Sequence, residues 1–139
     1  MAATTSEKEL TEQLKQVPLF SHTSAKQRKT LAKLGKVLTW REGSEPIKQG
    51  SKGAAFFLIL DGSVEVSRDD VSLARLGEGD FVGEVALLAN QPRNADVTAL
   101  APTTVFAFGR PALAAALKTD PNLGLALLEA MAIRQQATL

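Results

Sequence analysis

The sequence predicts a mostly β chain: an antiparallel, jelly-roll-like β-roll with helices before and after it. Three observations support this. Apolar residues recur at helical spacing only near the two ends of the chain. Between those ends, short runs rich in β-branched and aromatic residues recur about every ten residues. Corners containing glycine separate the runs.

Ser6 followed by Glu9 reads as a capping box, opening a helix with Leu10, Leu14 and Val17 at helical spacing. Pro18 is expected to end it. A second short helix begins at Ser24, with Gln27 as capping partner and Leu31 and Leu34 on its inner face. From Val37 the period changes. VLTW, a turn at Arg41-Glu42-Gly43 and a piece around Ile47 suggest brief strands. FFLIL ends at the tight-turn signal Asp61-Gly62, and SVEV follows with Val64 and Val66 on one face. The bend Arg68-Asp69-Asp70 leads to VSLARL, and Leu76 to Asp80 form another corner. After a short apolar run, NADVTAL alternates, and TTVFAF follows an Ala101-Pro102 turn. Pro111 stands in the first turn of a further helix. Asp120-Pro121 opens the last one, which carries Leu123, Leu127, Leu128 and Met131. The expected organisation is one domain over residues 1-139. Its parts are helices at 6-34, the roll at 36-109 and helices at 111-138.

Composition narrows the possible functions. The 139 residues suit one domain with a real core. Sixteen Lys and Arg stand against fifteen Asp and Glu, a net charge of +1, so no large positive field marks a nucleic-acid binder. The chain has no cysteine, which excludes disulfides and thiolate ligands. The first seventeen residues are polar and lack the apolar run of a secretory signal, and the apolar run Ala54 to Leu60 is far too short to span a membrane. The expectation is a cytoplasmic protein, or the cytoplasmic part of a larger membrane protein, with no membrane insertion by this segment.

Residues 81-95, FVGEVALLANQPRNA, carry most of the functional information. Gly83 permits a close backbone approach, and Glu84 opens a short helical turn. The amides of Glu84, Val85 and Ala86 form a cradle for anionic oxygens at the positive end of that turn. Arg93 adds a two-pronged charged contact. Glu84 repels a phosphate and is better assigned to accepting hydrogen bonds from sugar hydroxyls. Taken singly, each residue has a plain alternative: helix-terminal charge, solvated arginine or turn glycine.

The order Gly83-Glu84, Val85-Ala86-Leu87-Leu88, Pro92-Arg93 resembles the phosphate-binding cassette of cyclic nucleotide-binding domains. These are modules of cAMP-dependent kinases, nucleotide-gated channels and catabolite activators. The resemblance runs back through Gly43, Gly50, FFLIL, Gly62 and Gly79-Asp80-Phe81, and forward through Ala95 and Val97, covering roughly residues 14 to 135. It implies a regulatory sensor for a cyclic nucleotide, with no catalytic residue, no metal and no cofactor beyond that ligand. Glu84 then binds the ribose 2′-hydroxyl. Arg93 meets the cyclic phosphate, and the amides near Val85 and Ala86 complete its cradle. Gly83, Asn94 and Ala95 join this ligand-binding set. Val64, Val66, Leu73 and Val82 are candidates to line the base pocket, with ordinary core packing as the alternative for each. Asn94 departs from the family's usual small residue or threonine. It could donate to phosphate or base, or cap the strand, and the lack of a hydroxyl there favours cAMP over cGMP. The last helix is expected to respond to ligand, although its final turns carry no aromatic to cover the base. The implied partners are the nucleotide and an effector domain or protein.

Three other readings compete. A cupin-like metalloenzyme shares the rolled sheet, but His22 is the sole histidine and precedes the roll. Acid hydrolysis by Glu84 paired with Asp80 needs both in one cleft, and Asp80 is better placed to brace the glycine corner. A degenerate scaffold of the same fold would bind no nucleotide. Direct DNA binding is disfavoured, because the residues from Asp120 onward make one helix and not a helix-turn-helix pair.

Overall fold

The structure is a computed structural model describing residues 6–89 and 91–138, with side chains through residue 133. The expectation about the final turns from residue 134 onward lies outside the described side chains. Two compact units form: residues up to Gly35 together with Pro111 onward, and Lys36–Arg110.

The first unit is helical. Helix α1 (Glu7–Gln16) starts where Ser6 Oγ accepts from Glu9 N, and Leu10 and Leu14 fill its buried face. Pro18 ends the helix and begins a 3-10 turn at Pro18–Phe20. Helix α2 (Ala25–Leu34) carries a complete capping box between Ser24 and Gln27. Leu31 is buried, but Leu34 is 38% exposed, since it falls at the last residue of α2. Helices α4 (Arg110–Thr119) and α5 (Asn122–Thr138) follow the roll in sequence. Asp120 Oδ1 accepts from Asn122 N at 3.1 Å, and its Oδ2 accepts from Gln27 Nε2 at 3.1 Å. Leu123 and Leu127 are buried as expected from the spacing. Leu128 and Met131 are exposed, and the small residues Ala126 and Ala130 share the inner face instead.

The second unit holds seven strands in two antiparallel sheets. They are β1 (Lys36–Trp40), β2 (Ala55–Asp61), β3 (Ser63–Arg68), β4 (Val71–Gly77), β5 (Phe81–Val82), β6 (Asp96–Ala99) and β7 (Thr103–Gly109). One sheet runs β1-β7-β2-β5 and the other β4-β3-β6. The fifth connection, between β5 and β6, contains a short helix, α3 (Glu84–Ala89). Strand β7 lies between β1 and β2, which accounts for its near-continuous burial. Trp40, Ile59, Val64, Val97, Ala99 and Val105 form the roll's buried cluster, with Phe57, Val66 and Val82 packed partly against it.

The expected strand near Ile47 is only a single bridge, Ile47 to Val97. The hairpin β3–β4 turns through Asp69 and Asp70, both at positive φ. Gln49 clamps that turn, donating from Nε2 to Asp69 Oδ1 and accepting from Asp69 N, each at 3.1 Å. Asp80 Oδ2 accepts from Gly77 N at 2.9 Å, closing the corner before β5.

Candidate functional site

The backbone turns from β5 into α3 at Gly83, whose φ is 92°. A Cβ there would lie 2.4 Å from Ala55 O and 2.8 Å from Arg93 Nη1. Both the left-handed backbone and the close approach therefore require glycine. The first helical bond of α3 runs from Leu87 N to Gly83 O at 3.0 Å. The amides of Glu84, Val85 and Ala86 precede that bond, which makes them the donors of a helix N-terminus.

Arg93 approaches the same turn from the segment before β6. Its backbone is pinned at both ends, with Arg93 N donating to Ser51 O at 2.9 Å and Arg93 O accepting from Gly50 N at 2.7 Å. Its Nη2 donates to Ala55 O at 2.9 Å, and Cζ sits 5.9 Å from the Phe57 ring centroid. Gly53 flanks the other side of the guanidinium, where a Cβ would meet Nε at 3.3 Å. The residue is only 9% exposed. Among the described residues no carboxylate pairs with it. Burial pulls the guanidinium below its ordinary pKa by stripping water from the charged form.

A cavity of about 500 Å³ opens against these groups. Gly83, Glu84, Val85, Ala86, Arg93, Asn94 and Ala95 all line it, joined by Ile47, Val66, Phe81, Val82, Gln91, Pro92 and Val97. Among the described residues of this lining, Arg93 is the single cation and Glu84 the single carboxylate. One end is thus polar and cationic, whereas Ile47, Val66, Val82 and Val97 make an apolar sector. Asn94 is exposed, and its carbonyl accepts from Arg68 Nε at 2.7 Å.

Two base-pocket candidates lie elsewhere. Val64 shares the inward face of β3 with Val66 but sits two residues earlier, fully buried beside Trp40 and Ile59. Leu73 falls at the register shift between β3 and β4, where no β3 residue stands opposite it, and is 51% exposed. Neither reaches the cavity. Asp80 is not in the lining either, so it forms no carboxylate pair with Glu84 there. His22 belongs to the helical unit, its Nδ1 3.4 Å from Glu129 Oε1. Sequence reasoning missed Gly53. Its one signal was its place in a glycine-containing loop before FFLIL, which says nothing about a guanidinium forty residues later.

A β-roll with an open cavity, lined by an apolar sector, a helical turn and a buried arginine, is the architecture of a small-molecule-binding module. Residues 37–120 match the family model described as the cyclic nucleotide-binding domain. The chain belongs to that family. It is a cyclic nucleotide-binding regulatory domain, a ligand-binding module and not a catalytic one. It is 38% identical over 98 residues to a cAMP-dependent protein kinase regulatory subunit of Debaryomyces hansenii, covering 70% of this chain and 22% of that protein. The chain therefore spans about a fifth of that relative's length. The N-terminal domain of a transcriptional regulator from Streptomyces coelicolor A3(2) superposes with a TM-score of 0.85 at 29% identity, over 91% of this chain and 94% of that one. The structure titled cAMP bound PfPKA-R (141-441) gives a TM-score of 0.71 at 27% identity, over 88% of this chain and 46% of that one. Among the described residues no helix is long and apolar enough to cross a membrane, and no cluster of His, Cys, Asp and Glu is arranged for a metal ion.

Proposed function

We propose that this domain senses cAMP in preference to cGMP. The cyclic phosphate docks on Arg93 and the first-turn amides of Glu84, Val85 and Ala86. Glu84 accepts from the ribose 2′-hydroxyl, and the base lies along the apolar sector of Val66 and Val82. One observation carries the reading: Arg93 is buried, has no carboxylate partner among the described residues and lines the same cavity as the N-terminus of α3. A buried cation without a counterion is costly, and a monoanionic ester placed beside it offsets that cost. The cAMP named for the kinase-type relatives, and the absence of a hydroxyl at Asn94, favour adenine. The wider setting, also proposed, is a cytoplasmic regulatory protein that passes ligand occupancy to an effector domain or partner, with α5 as the responding element.

Calorimetric titration with cAMP and cGMP tests this directly. Wild-type protein is expected to bind cAMP saturably and more tightly than cGMP. Arg93→Ala is expected to cost about 3 kcal/mol, roughly a hundredfold in affinity, because the phosphate then meets no buried cation. At a cAMP concentration of about 100 times Kd the folded state gains about 2.7 kcal/mol, which raises Tm by roughly 8 °C. A wild-type protein that binds neither nucleotide would establish the degenerate-scaffold reading.

A further inference from the structure

We propose that a second site, the groove between α1 and α2, docks an acidic segment of a partner protein. The groove measures about 1010 Å³. Lys8 and Lys15 of α1 line it together with Lys26, Arg28 and Lys29 of α2. Five cations therefore converge on one concavity in a chain whose net charge is only +1.

Arg28 is the unusual member. It is 8% exposed, yet among the described residues it has no carboxylate partner. Its Nε donates to Thr11 O at 3.2 Å and its Nη1 to Thr23 O, both neutral carbonyls. Such an arrangement leaves positive potential directed into the groove, where water screens it less than at an open surface. The α2 capping box satisfies Ser24 N and Gln27 N, so those two amides are not offered to a ligand.

The occupant follows from the pattern. Glu7 and Glu12 also line the groove. They would repel a uniformly anionic membrane or nucleic acid, but a peptide can set its acidic residues against the lysines alone. Lys8 and Lys15 are two helical turns apart, about 10 Å. Three residues of extended peptide span about the same distance, so a carboxylate at every third position matches them. The groove lies entirely outside residues 37–120, so it is separate from the nucleotide site.

The probe is a fluorescein-labelled peptide of four Glu-Ser-Gly repeats, followed by anisotropy with the full chain at about 50 mM salt. Saturable binding is expected. Lys15→Glu with Lys29→Glu should weaken it at least about tenfold, and Lys36→Glu with Lys118→Glu, an equal charge change elsewhere, less than about twofold. Circular dichroism melts establish that each variant is folded, and the neutral pair Lys15→Gln with Lys29→Gln replaces the reversal pair if that one does not fold. The proposal is overturned by absence of saturable binding, or by equal losses in the two charge-reversal pairs. It is also overturned if phosphatidylserine vesicles or a short DNA duplex bind more tightly than the peptide and respond to the same substitutions.

Discussion

Replacing Gly53 with alanine isolates the geometry of Arg93 from its charge. The new Cβ would stand 3.3 Å from Nε, 3.4 Å from Nη2 and 3.7 Å from Cζ. Gly53 does not adopt the left-handed backbone, so alanine fits the main chain and only the guanidinium must yield. A displacement of a few tenths of an ångström falls on the bond from Nη2 to Ala55 O, now 2.9 Å, and on the aim of the fork toward the first turn of α3. A charge-assisted hydrogen bond contributes about 1.5–3 kcal/mol, and losing a fraction of it predicts about 1 kcal/mol, roughly fivefold weaker cAMP binding. Stability should move the other way. Alanine restricts the unfolded chain, so Tm is expected to stay level or rise slightly. Calorimetry on wild type, Gly53→Ala, Arg93→Ala and the double variant reads both axes. The double variant should bind no worse than Arg93→Ala alone, because the guanidinium beside Gly53 is gone. Unchanged affinity in Gly53→Ala, or an equal further loss in the Arg93→Ala background, would refute this reasoning.

Gly83→Ala meets backbone as well as arginine, so a loss of about 2 to 3 kcal/mol is expected, seen as a drop in Tm of roughly 8 °C in the absence of nucleotide. If Glu84 accepts from the 2′-hydroxyl, 2′-deoxy-cAMP should bind wild type about tenfold more weakly than cAMP, whereas Glu84→Ala, which has no acceptor, should barely distinguish the two ligands. Discrimination preserved in Glu84→Ala would reassign that carboxylate. Amide exchange in α5 should slow when cAMP is added, and identical exchange with and without ligand would remove α5 as the responding element.

Much of the site is legible because it is local. Gly83, Glu84 and Arg93 lie within eleven residues, and each announces its chemistry by type and order. Helix starts at Ser6 and Ser24 are legible for the same reason, since capping acts over three residues. What escaped depends on register or on distant packing. Alternation places Val64 and Val66 on one face but cannot say that Val66 reaches the cavity while Val64 is sealed behind it. Leu73 lies outside the cavity lining because an irregularity in the β3–β4 pairing breaks the alternation there. Leu128 and Met131 carry the spacing of a buried face, yet Ala126 and Ala130 occupy it, because small residues permit close packing that hydrophobicity does not signal.

Both backbone hydrogen bonds of Arg93 go to Gly50 and Ser51. Nearby, Gln49 N donates to Asp96 Oδ1 at 2.6 Å and Val97 N to Ile47 O at 2.9 Å. The cation is thus stitched to a stretch of chain that arrives some forty residues before it and contributes almost no chemistry of its own. Inserting or deleting a single residue between Gln49 and Gly50 would slide the Gly50 and Ser51 bonds to Arg93 out of phase with the stitches at Ile47 and Gln49. Spacing in that plain connector is then as much a part of ligand recognition as the identity of the arginine.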